Sequence, residues 1–435
     1  MKICIVSHHD YGALTGENHG HIGGVERQTA LLSQWLTQQG HTVSIITWDE
    51  GGDKIEFING IEIIKLCSVK DGLPSLRFFH PRWTSLLSAL KQADAEVYYH
   101  NCAEYFTGQI ALWCKMNKRA FIYSVASDAD CQLSPQKSWS LRDKYFFQFG
   151  LKLANEIICQ TYSQKIMLAN NFNLAANVIP MPGTPPIGQA NKQTQFEQQK
   201  IIWVGRVQTV KRLEWFIDIA IALPQYHFEV IGPMDHNRDY VDSILPRTND
   251  VKNLQFKGKL NREQMVDVYK NASLLCSTSI YEGFPNTYLE AWSYGLPLVC
   301  TVDPDDIVNN HELGYSSKHK QELISAIVKL LSDSKQWHKC AKNSFNYYQS
   351  HHEMNAVQTR FENTFLKYAD MNNIQDHFNK QSKSWSDYYT LPAQSISQLD
   401  LQVRTHIASQ YIKKNSFEKF LVFIYKFIII KSTII

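Results

Sequence analysis

Short apolar segments rich in β-branched residues alternate with longer amphipathic segments along most of the chain, and this alternation limits the fold more than any other feature. A strand pattern at Lys2–Ser7 is followed by a helical pattern that ends near Gly40 and by a second strand pattern at His41–Trp48. Further strand patterns occur at Glu96–His100, Arg119–Val125 and Glu156–Gln160. Repeated β-α-β units give a parallel sheet with helices on both faces. The first part of the chain is therefore predicted to be a doubly wound α/β domain.

A proline-rich break separates this series from a second one. Val178–Pro186 holds four of the 14 prolines, and the polar stretch Ile187–Gln199 follows it. The second series of strand patterns comprises Ile201–Val204, His227–Ile231, Leu254–Phe256, Ser273–Cys276 and Leu298–Cys300, and a clearly amphipathic helix is predicted at Lys320–Leu331. We therefore predict two tandem Rossmann-like α/β domains that face a cleft. The predicted boundaries are 1–180 for the first domain, 181–199 for the linker, 200–372 for the second domain and 373–435 for a C-terminal extension.

Composition excludes several other classes of protein. The chain has 44 Lys and Arg against 41 Asp and Glu, so it lacks the basic excess of a general nucleic-acid binder. Its nine cysteines are widely spaced and form no CxxC pair, which argues against a zinc ribbon or a disulfide framework. The opening MKICIVSHH carries an apolar run too short for a signal peptide. We expect a reduced, cytoplasmic protein.

The strongest local signal is the segment Tyr281–Pro297, YEGFPNTYLEAWSYGLP. It contains two carboxylates, Glu282 and Glu290, separated by seven residues. Thr287 and Glu290 match a capping box, which predicts a helix that starts near Asn286. In that arrangement Glu290 can accept two vicinal hydroxyls, as a ribose presents, and the free amides before the helix can bind an anion or a hydroxyl. The alternative is that Glu290 caps its own helix and Glu282 is a solvated loop charge.

Two further segments carry groups suited to phosphate. Arg206 follows a predicted strand and Lys211 comes five residues later, so the two cations can clamp a diphosphate at the carboxyl edge of the sheet. The alternative is an ordinary pair of surface cations. Gly23 and Gly24 precede a predicted helix and permit close backbone approach to phosphate or sugar.

Two polar loops in the first domain remain open to more than one interpretation. The loop after the first strand carries His8, His9, Asp10, His19 and His21. A metal site is not favoured there, because no pair of these residues has the helical i,i+4 spacing. In the segment SVASDAD, Asp128 and Asp130 can orient a sugar hydroxyl or transfer a proton, or else Ser127 or Asp128 can cap a helix.

Taken in order, these motifs resemble those of the retaining glycosyltransferases of family 4, which have the GT-B fold. The resemblance covers roughly residues 1–370. Its marks are the glycine loop Gly23-Gly24-Val25-Glu26, the domain step Val178-Ile179-Pro180, the basic site Val204-Gly205-Arg206 with Lys211, the segment Asn253–Leu260 beside the nucleobase, and EGFPNTYLEAWSYGLP. Two departures occur: Met181 stands where the family has Asn, and Ser127-Asp128 stands where many members have a His.

The resemblance implies a nucleotide-sugar donor in the cleft, mainly on the second domain. It assigns donor contacts to Gly23, Gly24, Arg206, Lys211, Gly283, Phe284, Asn286, Thr287 and Glu290. It assigns roles in the transfer to Glu282, Arg206, Lys211 and, as a replacement for the family His, to Asp128. Neither a cofactor nor a metal ion is expected, because the family generally needs none.

The activity expected from this resemblance is transfer of a sugar, with retention, from a nucleotide diphosphate sugar to a glycan or lipid-linked acceptor in cell-surface polysaccharide biosynthesis. Two alternatives stay open at this point. One is a nucleotide-sugar epimerase of the GT-B type, and the other is a non-catalytic module that binds nucleotide sugars. Nucleic acid is not an expected partner.

The C-terminal extension gives a separate set of expectations. Phe378–Arg404 resembles the lead-in helices of class I S-adenosylmethionine-dependent methyltransferases, but the strand and glycine-rich loop of those enzymes do not follow, so no methyl transfer is inferred. A truncated or frameshifted fusion is one explanation. The other is that the basic and apolar segment 413–435 contacts an anionic membrane surface peripherally, although its β-branched residues equally permit an aggregation-prone strand.

Overall fold

The structure is a computed structural model that describes residues 1–16, 23–74, 76–133, 139–234, 238–248 and 250–385, with side chains described as far as 369. Among the described residues no helix is both long and apolar enough to cross a membrane. The segment 413–435 lies outside the described residues, as does the methyltransferase-like stretch 378–404 beyond the end of the last helix at Trp385. The expectations for the extension therefore stay predictions.

The first domain is built on one eight-stranded sheet in the order β3-β4-β2-β1-β5-β6-β7-β8. Every neighbouring pair is parallel except β3 and β4. The strands are β1 Lys2–Val6, β2 Thr42–Thr47, β3 Ile55–Ile58, β4 Ile61–Lys65, β5 Val97–Asn101, β6 Ala120–Ser124, β7 Glu156–Cys159 and β8 Asn177–Val178. The helices are α1 Tyr11–Thr15, α2 Gly24–Gln38, α3 Thr84–Ala93, α4 Phe106–Asn117, α5 Leu141–Leu153 and α6 Tyr162–Phe172.

The antiparallel pair β3–β4 was not among the predicted strands. It is a hairpin whose two turn residues, Asn59 and Gly60, have φ values of 51° and 82°. Asn-Gly is the strongest short-range signal for such a turn, since both residues tolerate positive φ. The signal was therefore present in the sequence, in the segment IEFINGIEII.

The second domain has an all-parallel six-stranded sheet in the order β11-β10-β9-β12-β13-β14. Its strands are β9 Lys200–Val204, β10 His227–Ile231, β11 Leu254–Gly258, β12 Leu274–Ser277, β13 Leu298–Cys300 and β14 Gly314–Ser316. The helices after α6 are α7 Lys192–Glu197, α8 Leu213–Ala222, α9 Arg238–Ile244, α10 Arg262–Lys270, α11 Asn286–Ser293, α12 Ile307–Asn310, α13 Lys320–Ser332, α14 Ser334–His351 and α15 Met354–Trp385. The predicted fold class, two doubly wound α/β domains, is confirmed.

Each sheet has one strand whose two neighbours are reached by connections running in opposite directions along the sheet. In the first domain this switch point lies between β1 and β5, and in the second it lies between β9 and β12. Open α/β sheets bind ligands outside the carboxyl ends of their strands at such points. The topology thus marks one candidate binding edge in each domain.

Helix α15 returns to the first domain, although its residues as far as 372 were assigned to the second by the sequence pattern. Val357, Phe361 and Phe365 recur at a spacing of four and are buried in the same cluster as the β1 residue Ile5. The ring of Phe365 lies 5.6 Å from that of Tyr99 on β5. Fully burying one such side chain stabilises a fold by about 1.5–3 kcal/mol relative to leaving it exposed. The C-terminal helix is therefore part of the first domain's core.

The chain consequently passes between the domains twice, and the two crossings are hydrogen-bonded to each other. The amide of Gly183 donates to the carbonyl of His352 at 2.8 Å, and the hydroxyl of Tyr348 donates to the carbonyl of Gly183 at 3.2 Å. The imidazole Nδ1 of His352 lies 2.8 Å from the carbonyl of Met181. The two segments thus form a paired connection between the domains.

Candidate active site in the cleft between the domains

The loops that follow β9 and β12 lie side by side at the switch point of the second sheet. The β9 loop carries Arg206 and ends in a short turn at Thr209–Lys211. The hydroxyl of Thr278, just after β12, donates to the carbonyl of Lys211 at 2.8 Å, and the amide of Ile280 donates to the carbonyl of Val210 at 2.8 Å. These bonds hold the predicted basic site against the loop that carries Glu282.

Lys211 and Glu282 form an ion pair, with 2.5 Å between Nζ and Oε1. The hydroxyl of Ser279 also donates to the same carboxylate oxygen at 2.5 Å. By contrast, Arg206, a residue of intermediate exposure, makes no side-chain hydrogen bond or ion pair within the described residues. Since Lys211 is already paired with Glu282, Arg206 is the cation at this edge best placed to receive an anionic ligand.

Glu290 lies on the second turn of α11, and the predicted start of this helix at Asn286 is confirmed. The predicted capping box is wrong: Pro285 is the N-cap residue and Glu290 does not bond back to the helix start. Its carboxylate instead accepts from the hydroxyl of Tyr269 at 2.5 Å and from Nη1 of Arg27, in the first domain, at 3.3 Å. Thr287, on the first turn, makes no side-chain hydrogen bond within the described residues.

The first turn of α11 touches the glycine loop of the first domain. The side-chain amide of Asn286 donates to the carbonyl of Gly24 at 3.1 Å and accepts from Gln28 at 2.9 Å. A Cβ added at Gly24 would lie 2.7 Å from Nδ2 of Asn286. A larger residue here would have to displace the Asn286 side chain, which bridges the two domains. The amide of Gly23, at the N-cap of α2, is used locally, since it donates to Glu26 at 2.9 Å.

The segment before α11 makes a second contact between the domains. The amide of Phe284, predicted to face the donor, donates to the side-chain carbonyl of Gln160 at 3.1 Å. A Cβ added at Gly283 would lie 2.7 Å from the carbonyl oxygen of Ala126. Groups assigned to the donor by the resemblance thus contact the first domain in this structure.

Asp128 and Asp130 have different environments. The Asp130 carboxylate accepts from the amide of Ala126 at 2.8 Å and the hydroxyl of Ser127 at 3.1 Å, closing the short turn Asp128–Cys131. The interpretation of Ser127 as a cap therefore holds. Asp128 accepts from Nε2 of Gln164 at 3.0 Å, and burial raises the pKa of its carboxyl above the ordinary value.

The histidines after β1 pair with carboxylates rather than with each other. His8 Nδ1 lies 2.7 Å from Glu104, and His9 Nδ1 lies 3.2 Å from Glu50. His19 and His21 lie outside the described residues. Within the described part of the chain, no three potential ligands are grouped as a metal ion requires. Sequence reasoning missed Glu104, Tyr269, Arg27 and Gln160; the position of Glu104 just after a buried strand was the one available signal.

Two family models match consecutive parts of the chain. Residues 22–182 match "Glycosyltransferase Family 4" and residues 198–333 match "Glycosyl transferases group 1". An uncharacterized glycosyltransferase of Haemophilus influenzae is 22% identical over 339 residues, covering 73% of this chain and 89% of that protein. The amylovoran biosynthesis glycosyltransferase AmsD of Erwinia amylovora is 23% identical over 218 residues, covering 46% of this chain and 59% of that protein.

Solved structures share the fold. Sucrose-phosphate synthase from Thermosynechococcus elongatus superposes with a TM-score of 0.69 at 17% identity, covering 84% of this chain and 98% of that chain. HepE from Anabaena, in complex with UDP, gives a TM-score of 0.66 at 16% identity, covering 84% of this chain and 100% of that chain. Two α/β domains with their switch points at a common cleft define the GT-B architecture. The family models together match about two thirds of the sequence, and the chain belongs to the glycosyltransferases, as the sequence predicted.

Proposed function

We propose that the enzyme transfers a sugar, with retention of configuration, from a nucleotide diphosphate sugar to a glycan or lipid-linked acceptor. The observation that carries the proposal is the unpartnered guanidinium of Arg206 beside Lys211 at the switch point of the second sheet. Glu290 lies on α11, the helix that follows β12, the strand next to β9 in the sheet. HepE, a chain of the same fold, was solved in complex with UDP, which supports a nucleotide as the ligand class.

Arg206 and Lys211 have the charge needed to neutralise a diphosphate as it leaves. Arg supplies a planar fork of donors and Lys a compact charge, and such groups act where negative charge develops in the transition state. Lys211 is paired with Glu282 before the donor binds. In the proposed mechanism the diphosphate attracts Lys211, and both residues then contact the donor. Glu282 is then placed to accept a hydroxyl of the donor sugar.

Glu290 is prepared for a ribose by Tyr269. Burial raises the pKa of the Tyr269 hydroxyl well above its usual range, so this hydroxyl stays protonated and donates to one carboxylate oxygen. The other oxygen is held by Arg27 and becomes available when the first domain withdraws. The amides of Gly283, Phe284 and Asn286, with the Thr287 hydroxyl, complete the proposed donor site.

The biological setting of the proposed reaction is cell-surface polysaccharide biosynthesis in the cytoplasm. Relatives named for amylovoran and O-antigen biosynthesis support this. Neither a metal nor a cofactor is part of the proposed mechanism, because two cations already face the diphosphate site. Peripheral contact of segment 413–435 with anionic membrane remains part of the proposal, and Asp128 remains the proposed replacement for the family His.

A panel of UDP-, GDP- and ADP-sugars tests the proposal through nucleotide release, thermal shift and product analysis. One donor should raise the melting temperature and be turned over, with the product anomer matching the donor anomer by NMR. Arg206→Ala should abolish the shift and lower turnover at least tenfold, while Arg262→Ala, an exposed arginine at the start of α10 in the same domain, should change neither. Failure of every nucleotide to bind would refute the proposal. If the product is an epimerised nucleotide sugar rather than a glycoside, the enzyme is an epimerase and the proposed transfer is wrong.

A further inference from the structure

A loop of the second domain that has no part in the proposed donor site also reaches the first domain. The loop follows β13 and contains the short turn Pro304–Asp306 before α12. At its base the carboxylate of Asp303 accepts from the amides of Val308 at 2.8 Å and Asn309 at 3.2 Å. These bonds fix the loop to the start of α12, and Asp305 extends from the fixed loop to α6 of the first domain.

The contact on the first-domain side is the N-terminus of α6, where the first amides have no partner within the helix. The side chain of Thr161, the N-cap residue, accepts from the amide of Gln164 at 3.1 Å. The carboxylate of Asp305 accepts from the amides of the two intervening residues, Tyr162 at 2.7 Å and Ser163 at 2.9 Å, and from the Ser163 hydroxyl at 2.6 Å. The helix dipole also favours a negative charge at this end. A carboxylate of the second domain therefore completes a helix cap in the first.

The backbone of the turn has an unusual conformation at its tip. Asp305 and Asp306 have φ values of 55° and 56°. Residues other than glycine seldom adopt this left-handed region, and they stay in it where surrounding contacts compensate for the strain. The exposed side chain of Asp306 makes no hydrogen bond within the part of the chain that the structure describes. The bonds from α6 to Asp305 are thus the contacts that compensate at the tip of the turn.

The same approach of the two domains engages groups of the proposed donor site. Arg27 of the first domain lies 3.3 Å from the Glu290 carboxylate, and Gln160 accepts from the amide of Phe284 at 3.1 Å. Gln160 is the residue before the N-cap of α6. A bond that ties the start of α6 to Asp305 therefore also keeps Gln160 against Phe284.

We propose that Asp305, bonded to Tyr162 and Ser163, is an interdomain latch that holds the domains in the arrangement seen here and so restrains the entry of a nucleotide. The inference rests on the proposed function in assigning Glu290 and the Phe284 amide to a donor, but the latch itself does not. A ligand that needs these groups binds the fraction of molecules in which the latch is open, and its apparent affinity is reduced by that fraction. Asp305 is a regulatory residue in this proposal and does not contact the donor.

The latch is suited to reversible opening. Its three hydrogen bonds lie at positions exposed to solvent. Water can replace such bonds, and their net contribution to stability is therefore modest. A nucleotide that gains contacts with the second domain can thus shift the equilibrium toward the open form.

Substitution by glycine tests the latch without straining the backbone, because glycine adopts positive φ readily. Asp305→Gly removes the carboxylate that caps α6. Asp306→Gly is the matched control, since it removes the same charge and relieves the same strain one position away, where no bond to α6 is made. Ser163→Ala removes one of the three donors and leaves both amides in place. The double variant of Asp305→Gly and Ser163→Ala completes the set.

Hydrogen–deuterium exchange of the full chain measures the latch without any ligand. Peptides 160–172 and 281–290 should exchange about fivefold faster in Asp305→Gly, because removing a charged acceptor frees both sides of the contact. The radius of gyration by small-angle scattering should increase in the same variant. Asp306→Gly should match the unmodified chain in both measurements. Ser163→Ala should have a smaller effect, and none in the Asp305→Gly background.

Calorimetric titration with UDP, GDP and ADP measures the restraint on nucleotide entry. For a nucleotide that binds, Asp305→Gly should lower the Kd about three- to tenfold, because more molecules are open, and Asp306→Gly should leave it within about twofold. Exchange in Asp305→Gly equal to that of the unmodified chain would overturn the latch. A Kd that stays the same or rises while exchange becomes faster would overturn the restraint. Faster exchange in Asp305→Gly alone, in a chain that binds none of the three nucleotides, would support the latch and refute the proposed donor.

Discussion

The contact between Arg27 and Glu290 makes a sharp prediction about donor binding. Arg27 belongs to the first domain, and its Nη1 lies 3.3 Å from the carboxylate proposed to hold the ribose. If the ribose takes that oxygen, Arg27 and the donor compete for it. Removing the guanidinium with Arg27→Ala should then tighten nucleotide binding, whereas an arginine that contacts the diphosphate would weaken it when removed.

The size of the effect follows from the exposure of the pair. The Arg27 side chain is 60% exposed and that of Glu290 is 25% exposed, so water screens most of the attraction, and a pair of this kind is worth about 0.2–1 kcal/mol. Arg27→Ala should therefore lower the Kd for UDP by at most about fivefold. Glu290→Gln removes the ribose contact itself, a hydrogen bond to a charged group worth about 1.5–3 kcal/mol, and should raise the Kd at least tenfold.

A double-mutant cycle tests this prediction. UDP binding is measured by calorimetry for the unmodified chain, for Arg27→Ala, for Glu290→Gln and for the double variant. The double variant should match Glu290→Gln, because Arg27 acts only through Glu290. Arg119→Ala is the matched control, since Arg119 forms a similarly exposed pair with Asp94 at 2.6 Å elsewhere in the first domain. A Kd that rises threefold or more in Arg27→Ala would refute the competition, and so would an effect of Arg27→Ala that persists in the Glu290→Gln background.

Three further predictions concern the frame around the site. Phe365→Ala should lower the free energy of unfolding by about 3–5 kcal/mol, because it opens a cavity against β5. Leu366→Ala, at the exposed neighbouring position, should lower it far less. Equal shifts of the urea midpoint in the two variants would contradict the packing of α15. Burial lowers the pKa of His100 and of His352 to about 4. The free energy of unfolding should therefore be unaffected by these groups above pH 6.5 and should fall by about 3 kcal/mol for each as the pH drops from 6.5 to 4, because the unfolded chain takes up protons that the folded chain refuses. His352→Gln should flatten the dependence of the urea midpoint on pH, and an unchanged slope would count against this prediction. Gly283→Ala should hold the domains apart, with a larger radius of gyration by small-angle scattering and weaker transfer, and an unchanged radius would contradict the close approach.

The sequence was enough to place the candidate residues of the second domain at one edge of the sheet, because parallel strands bring distant loops together. Arg206 and Glu282 are far apart in the chain, but both follow strands of one sheet, so the alternation of strands and helices was enough to place them together. The role first weighed for Glu290, that of a cap, was wrong. Pro285 already provides the N-cap backbone, which leaves the carboxylate free to turn toward Tyr269 and the first domain.

What the sequence could not supply are the partners from other segments. Arg27 and Glu290 are separated by 263 positions, and Gln160 and Phe284 by 124. Such contacts depend on how far the two domains close, which is set by packing over the whole interface rather than by any local pattern. The same reason explains the misplacement of α15: its apolar spacing predicts a buried face but does not say which domain covers it.

The sequence by itself determined two doubly wound domains, the loops that carry the basic site and the two glutamates, and the family they resemble. These are properties of local patterning, because strand and helix periods, glycine turns and motif order act over short stretches of chain. Only the tertiary structure decided that residues of the proposed donor site contact the first domain, that His8 pairs with Glu104, and that the last helix closes the first domain's core. Those features arise from contacts between surfaces, where shape and charge from distant segments must match at once.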